Sequence, residues 1–328
     1  MISSQLMKKC NGIFAIIGMI VLASAKAAAV LKSLRWNQLQ VSTTVQSYHQ
    51  APSSEVLSLL SSGTYNLGTA SQIAVSFTHL SLKKQLEMGI RGFEFSLNSD
   101  YKGGAFNQNA AVKLAGGDGS TVSPDLDVPG FKMFTEVDLD FGSSCYLLAK
   151  GFQIVKDWSD KNPGHLPFVI VLHSGSGASA FNTFASAVLS EGESALETMP
   201  GSPYNFTLPD PVSSSSPAGD LVAVERIVSS IFGSTLLTPA ELIAMSGNPS
   251  AQTLNEAVLP PMGQWPEVKH LLGKVAVVLD PDYTVTYSGL HKKRRQELVA
   301  YNYLIVPTLR PSSAGISGLL LHSPHSTK

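Results

Sequence analysis

The sequence predicts one α/β domain built on a mostly parallel sheet. Three observations carry that expectation. Apolar runs of strand length alternate with helix-period stripes from Leu39 to Asp280. The clearest run, "HLPFVIVLH" at 165–173, is continuous and rich in β-branched residues, as strands covered on both faces by helices are. No break in composition divides the chain of 328 residues. A closed (β/α) barrel and an open doubly wound sheet both fit this pattern.

The chain opens with "MISSQLMKKCNGIFAIIGMIVLASAKAAA". Lys8 and Lys9, an apolar run from Gly12 to Ala23, and the small residues of Ala25-Lys26-Ala27 or Ala27-Ala28-Ala29 are the parts of a secretory signal. The run is shorter than the roughly 20 residues a membrane span needs, so cleavage and secretion are expected, with a signal anchor as the alternative. The domain division that follows is 1–29 signal, 30–285 folded unit, and 286–328 an atypical C-terminal segment.

Candidate strands are Leu39–Val45, Gly92–Asn98, Phe131–Val137, Pro167–His173 and Val275–Asp280. Leu82–Met88 reads as a helix stopped by Gly89 in the left-handed conformation. Ser144 to Trp158 places Leu148, Phe152 and Val155 on one helical face before "KNPG" breaks it. Leu221, Val224, Val228 and Ile231 form a second stripe after Asp220, and "TPAE" at 238–241 spells a capping box with proline at its first helical position. The Ser/Pro-rich stretch 202–219 reads as a surface loop.

Charge and cysteine content exclude several classes. Lys plus Arg total 23 against 24 for Asp plus Glu, a net charge of −1 that offers no footprint for nucleic acid. With Cys10 in the signal, Cys145 stands alone and is expected as a buried thiol. Asn205-Phe206-Thr207 is a glycosylation acceptor compatible with secretion.

Two stretches invite a chemical reading. "VLHSGSGASA" holds a G-x-G-x-x-A match, for which a plain βα loop is the better account in an exported chain. In "FTEVDLDFGSSC", Glu136, Asp138 and Asp140 alternate, as oxygen ligands for a hard cation do; Asp140 or Ser143 capping the next helix is the blander alternative. His49 and His165 read as structural, His79 as capping or packing, and no His-x-x-x-His metal pair occurs.

Several segments then line up together: "LKKQLEMGIRGFEFSL", "GFKMFTEVDLDFGSSC", "VKDWSDKNPGHLPFVIVL" and "TLNEAVLPPMGQWPEVKHLLGKVAVVLD". From Leu34 to Asp282 the chain resembles the calcium-dependent phosphatidylinositol-specific phospholipase C family. The resemblance implies a TIM-type barrel of the phospholipase C-like phosphodiesterase kind, incomplete or irregular at the C-terminus, with its site at the carboxyl ends of the strands. It also implies phosphoric diester hydrolysis, in which two histidines exchange protons and calcium stabilises charge on the phosphate.

Carried over by position, those roles fall on residues of the wrong type. The family's first strand runs Gly-Thr-His-Asn-Ser-Tyr against Thr43-Thr44-Val45-Gln46-Ser47-Tyr48 here. Val45 therefore stands for the general-base histidine and Gln46 for a calcium ligand. The Glu-x-Asp pair of the second strand is Glu94-Phe95-Ser96, and the second histidine is Thr135. The fourth-strand Glu-x-Lys is His173-Ser174-Gly175, which removes an acidic ligand and the phosphate-facing lysine. The family's second cysteine is Gly151. Only Glu94 keeps the family residue among the chemical positions.

Valine neither gives nor takes a proton, and one carboxylate is a poor calcium site. The expectation is a secreted pseudoenzyme, inactive or serving to bind or regulate, with calcium weak or absent and an inositol lipid or membrane surface as partner. The alternative is an active phosphodiesterase with rewired groups: His49, His173 and the Glu136/Asp138/Asp140 cluster around a displaced metal.

Overall fold

A computed structural model describes residues 33–61, 75–107, 123–135, 140–174 and 217–279, with a few single positions besides. In chain order the elements are β1 (Thr43–Thr44), α1 (Ser54–Ser61), α2 (Leu82–Glu87), β2 (Gly92–Leu97), α3 (Leu148–Lys161), β3 (Phe168–Ser174), α4 (Pro217–Phe232), α5 (Pro239–Ala244), α6 (Leu254–Val258) and β4 (Val275–Leu279). The strands pair in the order β1-β2-β3-β4, every pair parallel. On the far side of β4, Leu236 adds a parallel bridge to Val275. This arc of parallel strands separated by helices is the α/β arrangement expected of a (β/α) unit series; among the described residues it remains an open arc.

Alternation along the strands assigns two faces. Phe93, Phe95 and Leu97 of β2 and Phe168, Ile170 and Leu172 of β3 pack into a cluster with Leu82 and Leu86 of α2, Leu148, Phe152 and Val155 of α3, and Val224, Val228 and Phe232 of α4. Each large side chain so buried contributes on the order of 2 kcal/mol. The opposite face carries Val169, Ala276 and Val278, which meet Trp36, Leu39, Leu237 and Leu271. Trp36 is fixed there by its N–H bond to the Pro266 carbonyl and an edge contact with Trp265. That second cluster closes the inner face of the sheet toward its amino end and leaves Glu94, Ser96 and His173 farther along the same face.

The helix ends follow local chemistry. Gly89 takes φ +95 just after α2, a conformation glycine adopts without strain. Thr238 and Glu241 exchange both bonds of the capping box around Pro239. Leu148, Phe152 and Val155 of α3 are fully buried, as their spacing predicts. Gly92 lets β1 approach β2: a Cβ there would lie 2.2 Å from the Thr43 methyl.

Three expectations change. The first strand shortens to Thr43–Thr44, because Leu39 is used in the cluster beneath the sheet and the chain turns at Val45. The proposed strand at Phe131–Val137 does not join the sheet; β2 pairs directly with β3. Its described part is irregular, with Lys132 bridging antiparallel to Asn98 and Leu147. Phe131 and Met133 pack into the main core beside Phe95, Leu148 and Phe152, while Phe134 joins Phe106, Leu126 and Phe141, so the apolar run mimics a buried strand without pairing as one. Finally, neither Asp140 nor Ser143 caps α3, whose N-cap is Leu147 with no side-chain bond; Asp140 is engaged by His49 instead.

The signal-like residues 1–29, the 175–216 segment with Gly175 and Asn205, and the C-terminal stretch beyond Leu279 lie outside the described residues. Among those described, no helix is long and apolar enough to cross a membrane.

Candidate functional site at the carboxyl end of the sheet

Ser96 and His173 are direct register partners across β2 and β3, so both side chains leave the inner face at one level. His173 Nε2 lies 3.2 Å from Ser96 Oγ and 3.1 Å from Glu94 Oε1. The Gln46 backbone N–H reaches the same Glu94 oxygen at 3.4 Å. Val45, at the carboxyl end of β1, is 42% exposed and presents only hydrocarbon. Glu94 and His173 are partly open, their side chains 22% and 20% exposed.

Behind this rim lies a buried polar chain. The Tyr48 hydroxyl makes a very short hydrogen bond with Ser96 Oγ. Burial pushes the Tyr48 phenol far above its ordinary pKa, so it holds its proton; the neighbouring Ser96 and Thr135 hydroxyls oppose that rise. The Thr135 hydroxyl also borders Asp140. Burial raises the Asp140 carboxyl, and its bond to His49 opposes that rise. His49 Nε2 stands 2.7 Å from Asp140 Oδ1, with both side chains buried. His49 Nδ1 donates to the Phe77 carbonyl at 2.9 Å, and its ring stacks on Phe77 at 4.0 Å.

The sequence-assigned positions therefore divide into two groups. Glu94, His173 and the Gln46 N–H meet at the open rim with Val45 beside them, and Ser96 is buried directly beneath. Thr135 sits deeper, at the buried end of the Tyr48 hydroxyl. Gly175 lies outside the described residues, as do Glu136 and Asp138. Sequence reasoning did not single out Tyr48, whose hydroxyl lies behind the rim against Ser96.

Local chemistry explains why the first-strand turn holds its shape. Ser47 Oγ accepts from the Glu94 N–H at 2.9 Å, donates to the Thr44 carbonyl at 2.9 Å, and pins the end of β1 onto β2. Gln85 of α2 accepts from Thr44 Oγ1 and donates to the Ser47 and Leu80 carbonyls. Gln46 itself adopts φ +47, a left-handed conformation uncommon outside glycine, asparagine and aspartate.

The arrangement also limits the chemistry. In a serine–histidine–acid relay the acid and the hydroxyl occupy opposite imidazole nitrogens. Here Glu94 and Ser96 both meet Nε2, so Ser96 is not set up as an activated nucleophile. Both His49 nitrogens are committed, which removes it as a metal ligand. Among the described residues no three His, Cys, Asp or Glu side chains gather as a metal-binding group.

A family model for Ca2+-dependent phosphoinositide phospholipase C matches residues 34–199, half of the chain. The chain belongs to that family. Solved structures with a similar course include a calcium-dependent phosphoinositol-specific phospholipase C from Pseudomonas sp., at 16% identity, 85% of this chain, 68% of that one and TM-score 0.46. Another is a Ca2+-dependent phosphatidylinositol-specific enzyme from Streptomyces antibioticus, at 17% identity and TM-score 0.38, covering 68% of this chain and 59% of the Streptomyces one. A search of curated proteins finds no match.

Proposed function

We propose that this family member is a catalytically silent binding protein, exported from the cell, that keeps the site's frame without its reaction. The observation that carries the reading is the composition of the rim. Where the family reaction needs a proton acceptor at the end of the first strand, Val45 offers a methyl surface open to solvent. Thr135, at the second histidine's position, has a hydroxyl that does not titrate near neutrality. Each missing general acid or base removes a factor of about 10²–10⁴ in rate.

Calcium does not fit the donor set either. Such an ion takes 6–8 oxygen ligands at about 2.3–2.6 Å. The rim supplies one carboxylate, already accepting from Gln46 N–H and adjoining the His173 imidazole, together with neutral hydroxyl and amide groups. No step of a reaction is therefore routed through a metal here. An inositol lipid or a membrane surface is the partner the family relationship favours.

A second reading, a phosphodiesterase with rewired groups, has the His173–Glu94 pair in its favour, since such a pair can exchange a proton with a bound hydroxyl. One assay decides between them. Purified protein incubated with phosphatidylinositol vesicles and calcium is expected to release no inositol phosphate above the blank. Calcium-dependent turnover that disappears in His173→Ala overturns the silent reading. Partial turnover in Val45→His/Thr135→His beside a silent wild type supports it.

A further inference from the structure

We propose that Lys132 and Asp100 become joined by an amide bond between their own side chains, a covalent clamp from the chain leaving β2 to the segment that precedes α3. The clamp goes beyond the binding reading and does not depend on it.

The backbone sets the two side chains side by side. Asn98 and Lys132 form an antiparallel bridge, exchanging backbone hydrogen bonds of 3.1 and 2.7 Å, and the Gly130 N–H donates to the Asp100 carbonyl at 2.7 Å. Asp100 thus stands opposite Gly130, which contributes no side chain, and diagonal to Lys132, a separation that a long side chain spans. Lys132 Nζ lies 3.4 Å from Asp100 Oδ2, with the two side chains 0% and 1% exposed. Nζ donates to the Asp125 carbonyl at 3.0 Å and to the Val128 carbonyl. Its distance from Asp100 exceeds the roughly 2.7–2.9 Å of a charge-assisted bond, and Oδ2 has no hydrogen bond among the described residues. A neutral amine has two N–H groups. With both on carbonyls, its lone pair is what remains for Asp100.

Burial favours that neutral form. An ion pair so enclosed gives up its hydration without the close bond that would offset the loss. Burial holds the Lys132 amine below its ordinary range, and the Asp100 charge opposes this. Moving one proton from Nζ to the carboxylate gives an amine and a carboxylic acid with no change in proton count. The amine lone pair attacks Asp100 Cγ, the bond from Cγ to its hydroxyl breaks, and one N–H proton leaves with that hydroxyl as water. No other reagent is needed. Fixed geometry supplies the effective concentration, and a site closed to water slows the reverse hydrolysis. Cysteine content leaves this role open: the chain has 2 cysteines, and with Cys10 in the signal-like segment Cys145 has no second cysteine to pair with.

Mass spectrometry of a tryptic digest of the full chain, denatured after purification, tests the clamp. Expected is peptide 92–102 joined to 114–150, uncleaved after Lys132 and about 18 Da lighter than the two together, one water lost. Lys132→Arg should release separate peptides at full mass; where that variant fails to fold, the wild-type digest alone decides. The proposal is overturned if wild type is cleaved after Lys132 and both peptides appear at full mass. It is also overturned if the missing water maps to 92–102 alone, as a succinimide at Asp100 would leave it, or persists in Lys132→Arg.

Discussion

Ser47 and Tyr48 do different work from Val45 and Gln46, the two neighbours that precede them. Ser47 ties β1 to the Glu94 N–H, and Tyr48 is fully buried against Ser96. Val45 and Gln46 occupy the rim. Gln46 also retains a left-handed backbone that suits asparagine or glycine better, at a cost of about 1 kcal/mol. Gln46→Gly should therefore raise stability by about that amount in a denaturant titration, and Gln46→Val, β-branched, should lower it. A fall for Gln46→Gly would show that the side chain stabilises more than the conformation costs. Cys145 gives a second residue-scale prediction. Burial pushes its thiol up to about 12, so iodoacetamide should leave it unmodified in the native protein and alkylate it readily in guanidinium. Its free, buried state agrees with the expectation from the sequence; the left-handed Gln46 was not legible there, because glutamine carries no turn signal of its own.

The elements that read most clearly are those with a single hydrophobic period. The buried residues of α3 lie on the face its spacing predicts, and β3 is apolar from Phe168 to Leu172 because Phe168, Ile170 and Leu172 enter one cluster and Val169 the other. Phe131–Val137 misled because an irregular segment buried against a helix and sheet leaves the same apolar pattern as a paired strand. The missing information was tertiary: Lys132 is accommodated by carbonyls and Asp100, which no local window reveals. The α3–β3 junction carries a pH prediction. His165 bonds Ser159 Oγ at 2.7 Å through Nε2 and the Leu166 carbonyl at 2.6 Å through Nδ1, between Trp158 and Phe168. Burial holds its pKa below the ordinary 6.5; the Leu166 bond opposes this and the Arg91 charge adds to it. The unfolded chain therefore takes up the proton first. The stability contributed is complete above pH 6.5 and falls as pH drops toward the folded value. Unfolding free energies measured across pH 5–7 should rise with pH, with the slope reduced in His165→Gln. An unchanged slope would place the acid sensitivity elsewhere.

For the whole molecule, the parallel arc does the positioning. Register between β2 and β3 brings Ser96 beside His173, and the turn after β1 delivers Gln46 to Glu94. That Glu94, Ser96 and His173 share one face follows from strand alternation and parallel register, which the sequence pattern of alternating strands and helices already implied. The Tyr48–Ser96 and His49–Asp140 bonds were not implied, because each joins side chains far apart in sequence. At this scale the central claim is that the frame persists while the calcium-dependent chemistry is gone. Calorimetric titration of the purified chain with calcium tests it most directly. Expected is no saturable binding tighter than about 1 mM that depends on Glu94. Stoichiometric binding in the micromolar range, abolished by Glu94→Gln in a folded variant, would contradict it.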